Sequence, residues 1–367
     1  MCGLSKKTNH EIVNSFGVKS YANLLIELSN VETVEKALEN IDLTDKKIIG
    51  RCFNTVPKSK EIAVIKVTDD RIKIVSQTDI AVELEVMAGA DWDELVHWSI
   101  SFGLVGLENM SAIPSSVGAS PIHNIGAYGV EISPFISSVK VFDFMDRKVK
   151  HLSNSECDFE YRTSVFKKNT NLLILSVSFN IPRVKTLGGL LKEAGFLKSL
   201  KLVLNLAYLI LSSVEFKGKK KFLLGFGFDK VRDFLLSPLI SPRTKRRLVI
   251  FIRKRLLLDP KKKGNSGCFF KCPIITHERF SELKLIFPDI ESFPHSDNKI
   301  KVSACWLIRK AGWAGRINGD VEVPYDKPVV LCNHGSATYE SVSDVTLKIR
   351  KDINIMFDID LEPEVII

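Results

Sequence analysis

Two cysteines four residues apart are the first candidates for chemistry in this chain. Cys268 and Cys272 lie in the stretch GNSGCFFKCP, residues 264–273, between a glycine-rich opening and a closing proline. Thiols at this spacing can bind a metal, form a redox pair, fill an apolar core, or include one working acid beside a bystander. The spacing alone leaves these four interpretations open.

The other cysteines argue against a metal site and against a disulfide framework. The chain has seven cysteines, widely spread. No second pair accompanies Cys268 and Cys272, although zinc usually needs two such pairs, so we expect no metal. The N-terminal residues contain no apolar leader segment, so we expect a cytoplasmic protein with reduced thiols.

The positive charge of the chain is concentrated in one segment. The 367 residues are 45% hydrophobic and 26% charged, which is typical of a globular protein with more than one domain. Residues 183–263 are rich in Lys and Arg, and the net positive charge of this segment is larger than the net charge of the whole chain, which is +9. The rest of the chain is therefore net negative. Inside this segment, residues 202–211 are apolar apart from Asn205.

Three interpretations of this basic segment follow from its composition. The simplest is a helical hairpin packed on the body of the protein, with its lysines in water. The apolar run is too short to span a bilayer, but residues 186–221 could lie on an anionic membrane surface. Nucleic-acid binding would need a reader motif, and none accompanies the charge, so we expect no nucleic-acid partner.

Apolar periodicity predicts the elements that position the candidate groups. Alternation predicts strands at IAVIKV, RIKIVSQ, AVELEVMAGA, VKVFDFM and LLILSVSFNI, and a strand followed by a short helix at 24–40. Residues 91–103 predict a helix that begins after Asp91 as N-cap and ends at Gly103. Residues 103–132 are rich in Gly, Ser, Pro and Asn. We expect this long loop to expose backbone N–H groups to a ligand.

Six stretches, in order along the chain, resemble one enzyme family. They are NSFGV, the loop 103–132, YRTSVFK, GNSGCFFKCP, NHGSATYESV and LEPEV. Together they closely resemble the UDP-N-acetylenolpyruvoylglucosamine reductases, in the branch with the longer substrate loop. The resemblance covers most of the chain and fails mainly over residues 185–225.

The resemblance implies an α+β fold with several parts. It implies a two-part FAD-binding region of the vanillyl-alcohol-oxidase type and a smaller C-terminal α+β substrate domain. The implied parts are a first FAD-binding subdomain (1–66), a second (67–182), the basic insertion with the substrate loop (183–262), the substrate-binding domain (263–358), and a tail with the catalytic glutamate (359–367).

The resemblance also implies a reaction and its participants. In this family NADPH reduces FAD, and a hydride then passes to the enolpyruvyl double bond of a UDP-sugar. The product is UDP-N-acetylmuramate, a peptidoglycan precursor. We expect the same substrate here, and a monomeric enzyme.

Three residues match the catalytic positions of the family. Cys268 stands where a serine, or in some relatives a cysteine, protonates the substrate carbon. A thiol, with an ordinary pKa near ~8.5, can donate a proton more readily than a hydroxyl. Arg162 would pair with the substrate carboxylate. Glu364 would stabilise the same carboxylate in its protonated form, so its pKa is expected to be raised.

The cofactor and substrate positions are partly kept. The residues carried over as FAD contacts are Gly50, Asn54, Ser116, Gly118, Ser120, Asn124 and Gly126. The residues carried over as substrate contacts are Tyr128, Lys271 and Cys272, the last in place of an asparagine. The family's phosphate loop Gly-x-Gly-Ser-Asn reads GRCFN here. We expect Cys52 to add bulk where phosphate approaches, and Arg51 to compensate in part by its charge.

Further departures leave two alternatives open. Ser115 replaces a glycine, Ile366 an arginine and Leu256 a lysine, while Phe226 or Phe228 replaces a tyrosine of the substrate loop. A paralogue that reduces a different nucleotide-sugar would account for altered nucleotide contacts. A non-catalytic relative that has lost FAD would account for GRCFN.

Overall fold

The computed structural model describes residues 3–39, 41, 45–183, 228–238, 240–295 and 298–367. The chain divides into two compact units. The terminal unit combines Met1–Thr68 with Leu256–Ile367, and the central unit is Asp69–Arg255. The segment 186–221, with its predicted membrane contact, and Phe226 lie outside the described residues. The finer division into five parts stays a prediction.

The terminal unit begins with a mixed four-stranded sheet of order β1-β2-β4-β3. Its strands are β1 (Leu4–Glu11), β2 (Tyr21–Leu28), β3 (Lys46–Ile48) and β4 (Lys60–Val67). β1 pairs antiparallel with β2, and β4 runs parallel to both β2 and β3. Helix α1 (Val34–Leu38) follows β2 and buries Val34 and Leu38, one turn apart.

The central unit contains a five-stranded antiparallel sheet and a small hairpin. The strands are β5 (Ile72–Gln77), β6 (Ala81–Met87), β7 (Gly126–Ala127), β8 (Val130–Glu131), β9 (Ile136–Asp143), β10 (Lys148–Ser153) and β11 (Leu172–Pro182). The sheet order is β10-β9-β11-β6-β5, and β7 pairs with β8. Alternation in β6 buries Val82, Leu84 and Val86 completely, as a period of two requires.

Four helices lie in the described part of the central unit. They are α2 (Trp92–Ser101), α3 (Val165–Lys168), α4 (Phe228–Leu236) and α5 (Pro242–Leu256). The predicted start of α2 is confirmed, because the side chain of Asp91 accepts from the N–H of Glu94 at 2.9 Å. The loop 103–132 differs from expectation, because it forms short 3₁₀ turns with a buried Met110 and Val117.

The part of the basic segment in α5 is bound into the central unit by ion pairs. Lys245 is 7% exposed, and its Nζ lies 3.1 Å from Oε1 of the buried Glu108. Arg246 forms a two-bond pair with Asp93, and this pairing helps to hold the pKa of the Asp93 carboxyl below its usual range although burial opposes it. The predicted helical hairpin with solvated lysines concerns the insertion, residues 186–221, which lies outside the described residues.

The rest of the terminal unit carries two small sheets and three helices. The strands are β12 (Asn265–Cys268), β13 (Ile274–Thr276), β14 (Ser292–Pro294), β15 (Lys299–Val302), β16 (Ile317–Asn318), β17 (Val321–Glu322) and β18 (Val330–Asn333). The sheet orders are β12-β18-β17-β16 and β13-β15-β14. The helices are α6 (His277–Ile286), α7 (Ala304–Lys310) and α8 (Tyr339–Phe357).

One apolar core joins the two ends of the chain within the terminal unit. It contains Phe269, Trp306 and Phe357 from the C-terminal part, and Phe16 and Val56 from the N-terminal part. Helix α8 borders this core with six buried residues along its length, at the spacing of an amphipathic helix. In the described part of the chain, no helix combines the length and apolarity that crossing a bilayer requires.

Candidate active site

Residues 362–366 form a segment of the tail that is hydrogen-bonded on both sides. On one side, the N–H of Glu364 donates to the carbonyl of Phe269 at 2.8 Å, and the N–H of Lys271 donates to Glu362 at 2.9 Å. On the other side, the N–H of Ile366 donates to the carbonyl of Asn54 at 3.1 Å. The tail therefore connects the GRCFN loop to the GCFFK stretch.

A side-chain bond reinforces this connection. The amide of Asn54 donates to the backbone carbonyl of Glu364 at 3.3 Å. The structure thus brings together two predicted site residues that are 310 positions apart in the chain. Glu364 itself is half-buried.

Cys268 lies at the end of β12 with its thiol exposed to solvent. The preceding Gly267 has φ +73°, a left-handed conformation that favours glycine. The side chain of Asn265 accepts from the N–H of Gly267 at 3.0 Å and stabilises this turn. Phe269 and Phe270, which follow Cys268, are fully buried. The irregular strand end therefore holds an exposed thiol between rigid neighbours.

Cys272 has a different environment. It packs against the apolar core, and its sulfur accepts from the backbone N–H of Ala304. Burial raises the pKa of the Cys272 thiol, and the nearby charge of Glu364 raises it further. Among the four interpretations of the cysteine pair, Cys272 thus fits a core filler. No cluster of three potential metal ligands occurs among the described residues.

Lys271 forms an ion pair beside the tail. Its Nζ lies 2.8 Å from Oε2 of Glu362, and the Lys271 side chain is only 14% exposed whereas that of Glu362 is 64% exposed. The pair orients the lysine along the tail. The expected substrate contacts of Lys271 and Cys272 stay predictions.

The GRCFN loop keeps the backbone conformation of its missing glycine. Cys52 has φ +51°, and its side chain is 4% exposed in a cluster with Ile12, Ala22, Leu25 and Val64. Burial in this cluster raises the pKa of the Cys52 thiol to about 11. The expected bulk on the ligand side of the loop is therefore a misjudgement, because the side chain enters the core of the sheet.

In the central unit, Arg162 is fixed to the turn that contains two of the predicted FAD contacts. Its Nη1 donates to the carbonyl of Asn124 at 3.1 Å and its Nη2 to the carbonyl of Gly126 at 2.6 Å. Arg162 itself has φ +56°, a costly conformation for a side chain of this size. Strain of this kind is frequent at functional sites.

The side chain of Asn124 is used for internal structure. Its Oδ1 accepts from the N–H of Ser133 at 3.1 Å, and its Nδ2 donates to the carboxylate of Glu131 at 3.0 Å and to the carbonyl of Glu160 at 3.1 Å. These bonds fix the turn on which Arg162 rests. A direct contact of Asn124 with FAD stays a prediction.

Ser116, Gly118 and Ser120 lie in a tightly packed 3₁₀ turn. A Cβ on Gly118 would lie 2.6 Å from the Cβ of Ala88, so only glycine fits there. The N–H of Gly118 donates to the carbonyl of Ala88 at 2.9 Å, and the hydroxyl of Ser120 donates to Val117 at 2.7 Å. These two donors are therefore directed inward, unlike the exposed groups that the sequence led us to expect.

Tyr128 completes the central-unit group. It has φ +51°, and burial raises the pKa of its phenol. The amide of Asn109 donates to the carbonyl of Tyr128 at 3.4 Å. Oδ1 of Asn109 is buried and has no hydrogen-bond partner among the described residues. Sequence patterns pointed to Asn109 only through its place in the long loop.

Two stretches of the chain match known domain families. Residues 22–153 match the FAD binding domain family, and residues 259–367 match the family described as UDP-N-acetylenolpyruvoylglucosamine reductase, C-terminal domain. The chain therefore contains an FAD-binding domain followed by this C-terminal domain. The predicted fold, a vanillyl-alcohol-oxidase-type FAD-binding region with a C-terminal α+β domain, is confirmed.

Relatives match over nearly the whole length. The chain is 32% identical over 361 residues to the UDP-N-acetylenolpyruvoylglucosamine reductase of Pseudomonas aeruginosa, covering 96% of this chain and 95% of the relative. It is 33% identical over 357 residues to that of Bdellovibrio bacteriovorus, covering 96% and 95%. The chain belongs to the UDP-N-acetylenolpyruvoylglucosamine reductase family.

A solved structure agrees with this fold. The UDP-N-acetylenolpyruvylglucosamine reductase (MurB) from Thermus caldophilus matches with a TM-score of 0.61 at 17% identity, covering 99% of this chain and 97% of that chain. The likeness concerns the fold alone.

Proposed function

We infer that this protein is the FAD-dependent reductase of peptidoglycan precursor synthesis, which converts UDP-N-acetylglucosamine enolpyruvate to UDP-N-acetylmuramate. The full-length relatives that carry this enzyme's name support the activity. The observation that carries the assignment is the doubly bonded tail, because it connects Glu364 to both the GRCFN loop and the segment after Cys268. We assign the chain to the branch with the longer substrate loop.

Two loops bear on whether FAD fits the described residues: the GRCFN loop and the turn that contains Gly118. The GRCFN loop keeps a left-handed Cys52 with its thiol turned into the core, so a phosphate can still approach the main chain. Gly118 has no room for a side chain. We propose that Gly50, Asn54 and the loops containing Ser116, Ser120 and Gly126 hold the cofactor.

Bound FAD supplies the hydride, and the residues of this chain supply charge and a proton. We propose that Cys268 donates the proton to the substrate carbon next to the carboxylate, since its thiol is exposed at a rigid strand end. The guanidinium of Arg162, held on its turn by two backbone bonds, pairs with the substrate carboxylate. Glu364, in its protonated form, stabilises the negative charge that develops on that carboxylate.

The remaining participants are inferred from the family. We propose NADPH as the reductant of FAD, a UDP-sugar as the substrate with Tyr128, Lys271 and Cys272 nearby, and a cytoplasmic monomer. Peripheral membrane contact through 186–221 is a separate hypothesis. Co-sedimentation with liposomes at low salt tests it, and equal recovery with neutral and anionic lipid would reject it.

Spectroscopy on the purified chain tests the activity. An oxidised-flavin spectrum, bleached by NADPH without oxygen and restored by the enolpyruvyl UDP-sugar, is the expected result. Bleaching without recovery would favour a paralogue with another nucleotide-sugar. Failure to bind FAD at saturating concentration would favour the non-catalytic alternative and refute the proposal.

A further inference from the structure

The outward face of helix α5 is basic. The helix has 15 residues and contains no Asp or Glu. At 3.6 residues per turn, its exposed residues fall within one continuous arc of about 120° that runs for about 18 Å along the axis. The exposed residues are Arg243, Thr244, Arg247, Phe251, Lys254 and Arg255. We call this surface the basic arc, because it carries cations and one aromatic ring but no carboxylate.

The basic residues on the opposite side of α5 are bound to the protein. Lys245 and Arg246 form the two ion pairs with the central unit described above. Nε of Arg253 donates to the carbonyl of Ala112 at 3.2 Å. Val249 is fully buried on the same side. These contacts fix the rotation of the helix about its axis, so the basic arc is a rigid surface of the central unit.

The cations of the basic arc are not neutralised by the protein. None of them forms an ion pair with any residue that the structure describes. The guanidinium carbon of Arg255 lies 5.1 Å from the ring centroid of Phe251, within the range of a cation–π interaction. Phe251 is 43% exposed, so Arg255 supports a ring that lies at the surface. The arc therefore combines uncompensated positive charge with an exposed apolar group.

The sequence that precedes α4 has the same sign of charge. Residues 184–227 contain eight lysines and two glutamates. This segment thus brings no net negative charge that could neutralise the basic arc. Unlike charges would have argued for an internal partner, whereas like charges favour an anionic partner outside the chain.

We propose that the basic arc of α5 docks the protein on a membrane surface that contains anionic phospholipids. The negative potential of such a surface attracts Arg and Lys side chains, and an aromatic ring beside them enters the interface between headgroups and acyl chains. The contact is peripheral, because no helix in the described part of the chain could cross a bilayer. It is distinct from the hypothesis on 186–221, since it uses only described residues of α5.

The composition of the basic arc favours lipid over nucleic acid. Single-stranded nucleic acids bind to several aromatic rings along a positively charged groove, whereas the arc has one ring on a convex helix face. Adenine is recognised by Asn or Gln, and neither occurs on the arc. An anionic lipid surface needs no such register, because its potential acts on every cation within a Debye length.

Co-sedimentation of the full chain with vesicles tests the proposal. The vesicles contain phosphatidylcholine alone or equal parts of phosphatidylcholine and phosphatidylglycerol. We expect the wild type to bind the anionic vesicles, and to be released as the salt concentration rises. Arg243→Gln combined with Arg247→Gln should lower the partition coefficient by about 25-fold, because each cation near an anionic surface contributes about fivefold.

A matched control removes the same charge elsewhere in the central unit. Lys73 on β5 and Lys148 on β10 are exposed, and Lys73→Gln combined with Lys148→Gln should keep the partition coefficient within about twofold of the wild type. Phe251→Ala should weaken binding without changing its dependence on salt. Equal urea midpoints in all variants would show that misfolding does not cause the loss.

Three outcomes would overturn the proposal. They are equal binding of the wild type to neutral and anionic vesicles, equal loss in the α5 variant and the lysine control, and capture by a single-stranded polynucleotide without capture by vesicles. Binding that the α5 variant fully retains would point to 186–221 instead and would also overturn it. Turnover without vesicles is a separate measurement. If turnover is absent while the α5 variant loses vesicle binding, the proposed function fails and the docking surface stands.

Discussion

Removing the ammonium group of Lys245 should strongly destabilise the central unit. Both side chains of the Lys245–Glu108 pair are buried, at 9% and 5% exposure. Lys245→Met keeps the apolar stem but leaves the Glu108 carboxylate in a dry site, where its Oε2 retains the N–H of Gly106 at 2.5 Å. Breaking a buried ion pair from one side costs about 3–5 kcal/mol.

The magnitude translates into a measurable shift. For a unit of this size each kcal/mol lowers Tm by about 2–4 °C, so we expect a loss of about 10 °C and a lower urea midpoint. Urea unfolding followed by far-UV circular dichroism measures the free energy of unfolding. The variant Arg247→Met is a matched control, because Arg247 is exposed on the same helix, and it should stay within about 0.5 kcal/mol of the wild type.

A second variant separates the pair from the packing. Lys245→Met combined with Glu108→Gln removes the unpaired charge and should recover most of the loss, because neutral replacements of buried pairs are often tolerated. A single variant within about 1 kcal/mol of the wild type would refute the reasoning. So would a double variant as unstable as the single one.

Three further changes address the site and its loops. Cys268→Ala should lower turnover by about 10²–10⁴-fold, while NADPH should still bleach the flavin in a stopped-flow measurement. Cys268→Ser should retain activity. Equal turnover in the wild type and the alanine variant would contradict the role of Cys268 as proton donor. Cys52→Leu should destabilise by about 1–3 kcal/mol through overpacking of its core cluster, measured by urea unfolding, and a neutral result would place the side chain outside that core. The pairing of Glu322 with Lys263 and His334 helps to hold the pKa of its carboxyl below the usual range although burial opposes it, so its stabilisation is present above the ordinary carboxyl pKa and is lost as pH falls through the lowered value. Glu322→Gln should flatten the acid limb of stability against pH, and an unchanged limb would argue against the pairing.

Local patterns predicted much of the fold. The alternation in AVELEVM and LLILSVSFNI corresponds to β6 and β11, and Asp91 begins α2 as its side-chain chemistry requires. These features depend on neighbours within a few residues, so the sequence contains them directly. The family resemblance supplied the rest of the fold prediction.

Long-range placement was beyond the sequence. From the sequence, the replacement of a glycine by Cys52 predicts added bulk at the ligand side of the loop. The positive φ of Cys52 and its core cluster show instead that the thiol points into the core of the sheet, and neither can be read from the sequence. Basic residues usually lie in water, so the sequence predicts an exposed Lys245. Its burial is possible because Lys245 pairs with Glu108, 137 positions away in the chain. The bonds of the tail to Asn54 likewise have no local signal.

The bonds between Asn54 and Glu364 also bear on the order in which the protein folds. They close a loop of 310 positions, and contacts of such separation form slowly because the chain must first lose the entropy of the whole loop. The central unit is continuous in sequence, so it can fold on the ribosome while the second half of the terminal unit is still being synthesised. The GRCFN loop therefore acquires its final bonds only after Glu364 and Ile366 have been made, and chains truncated before these residues would leave that loop without its partner.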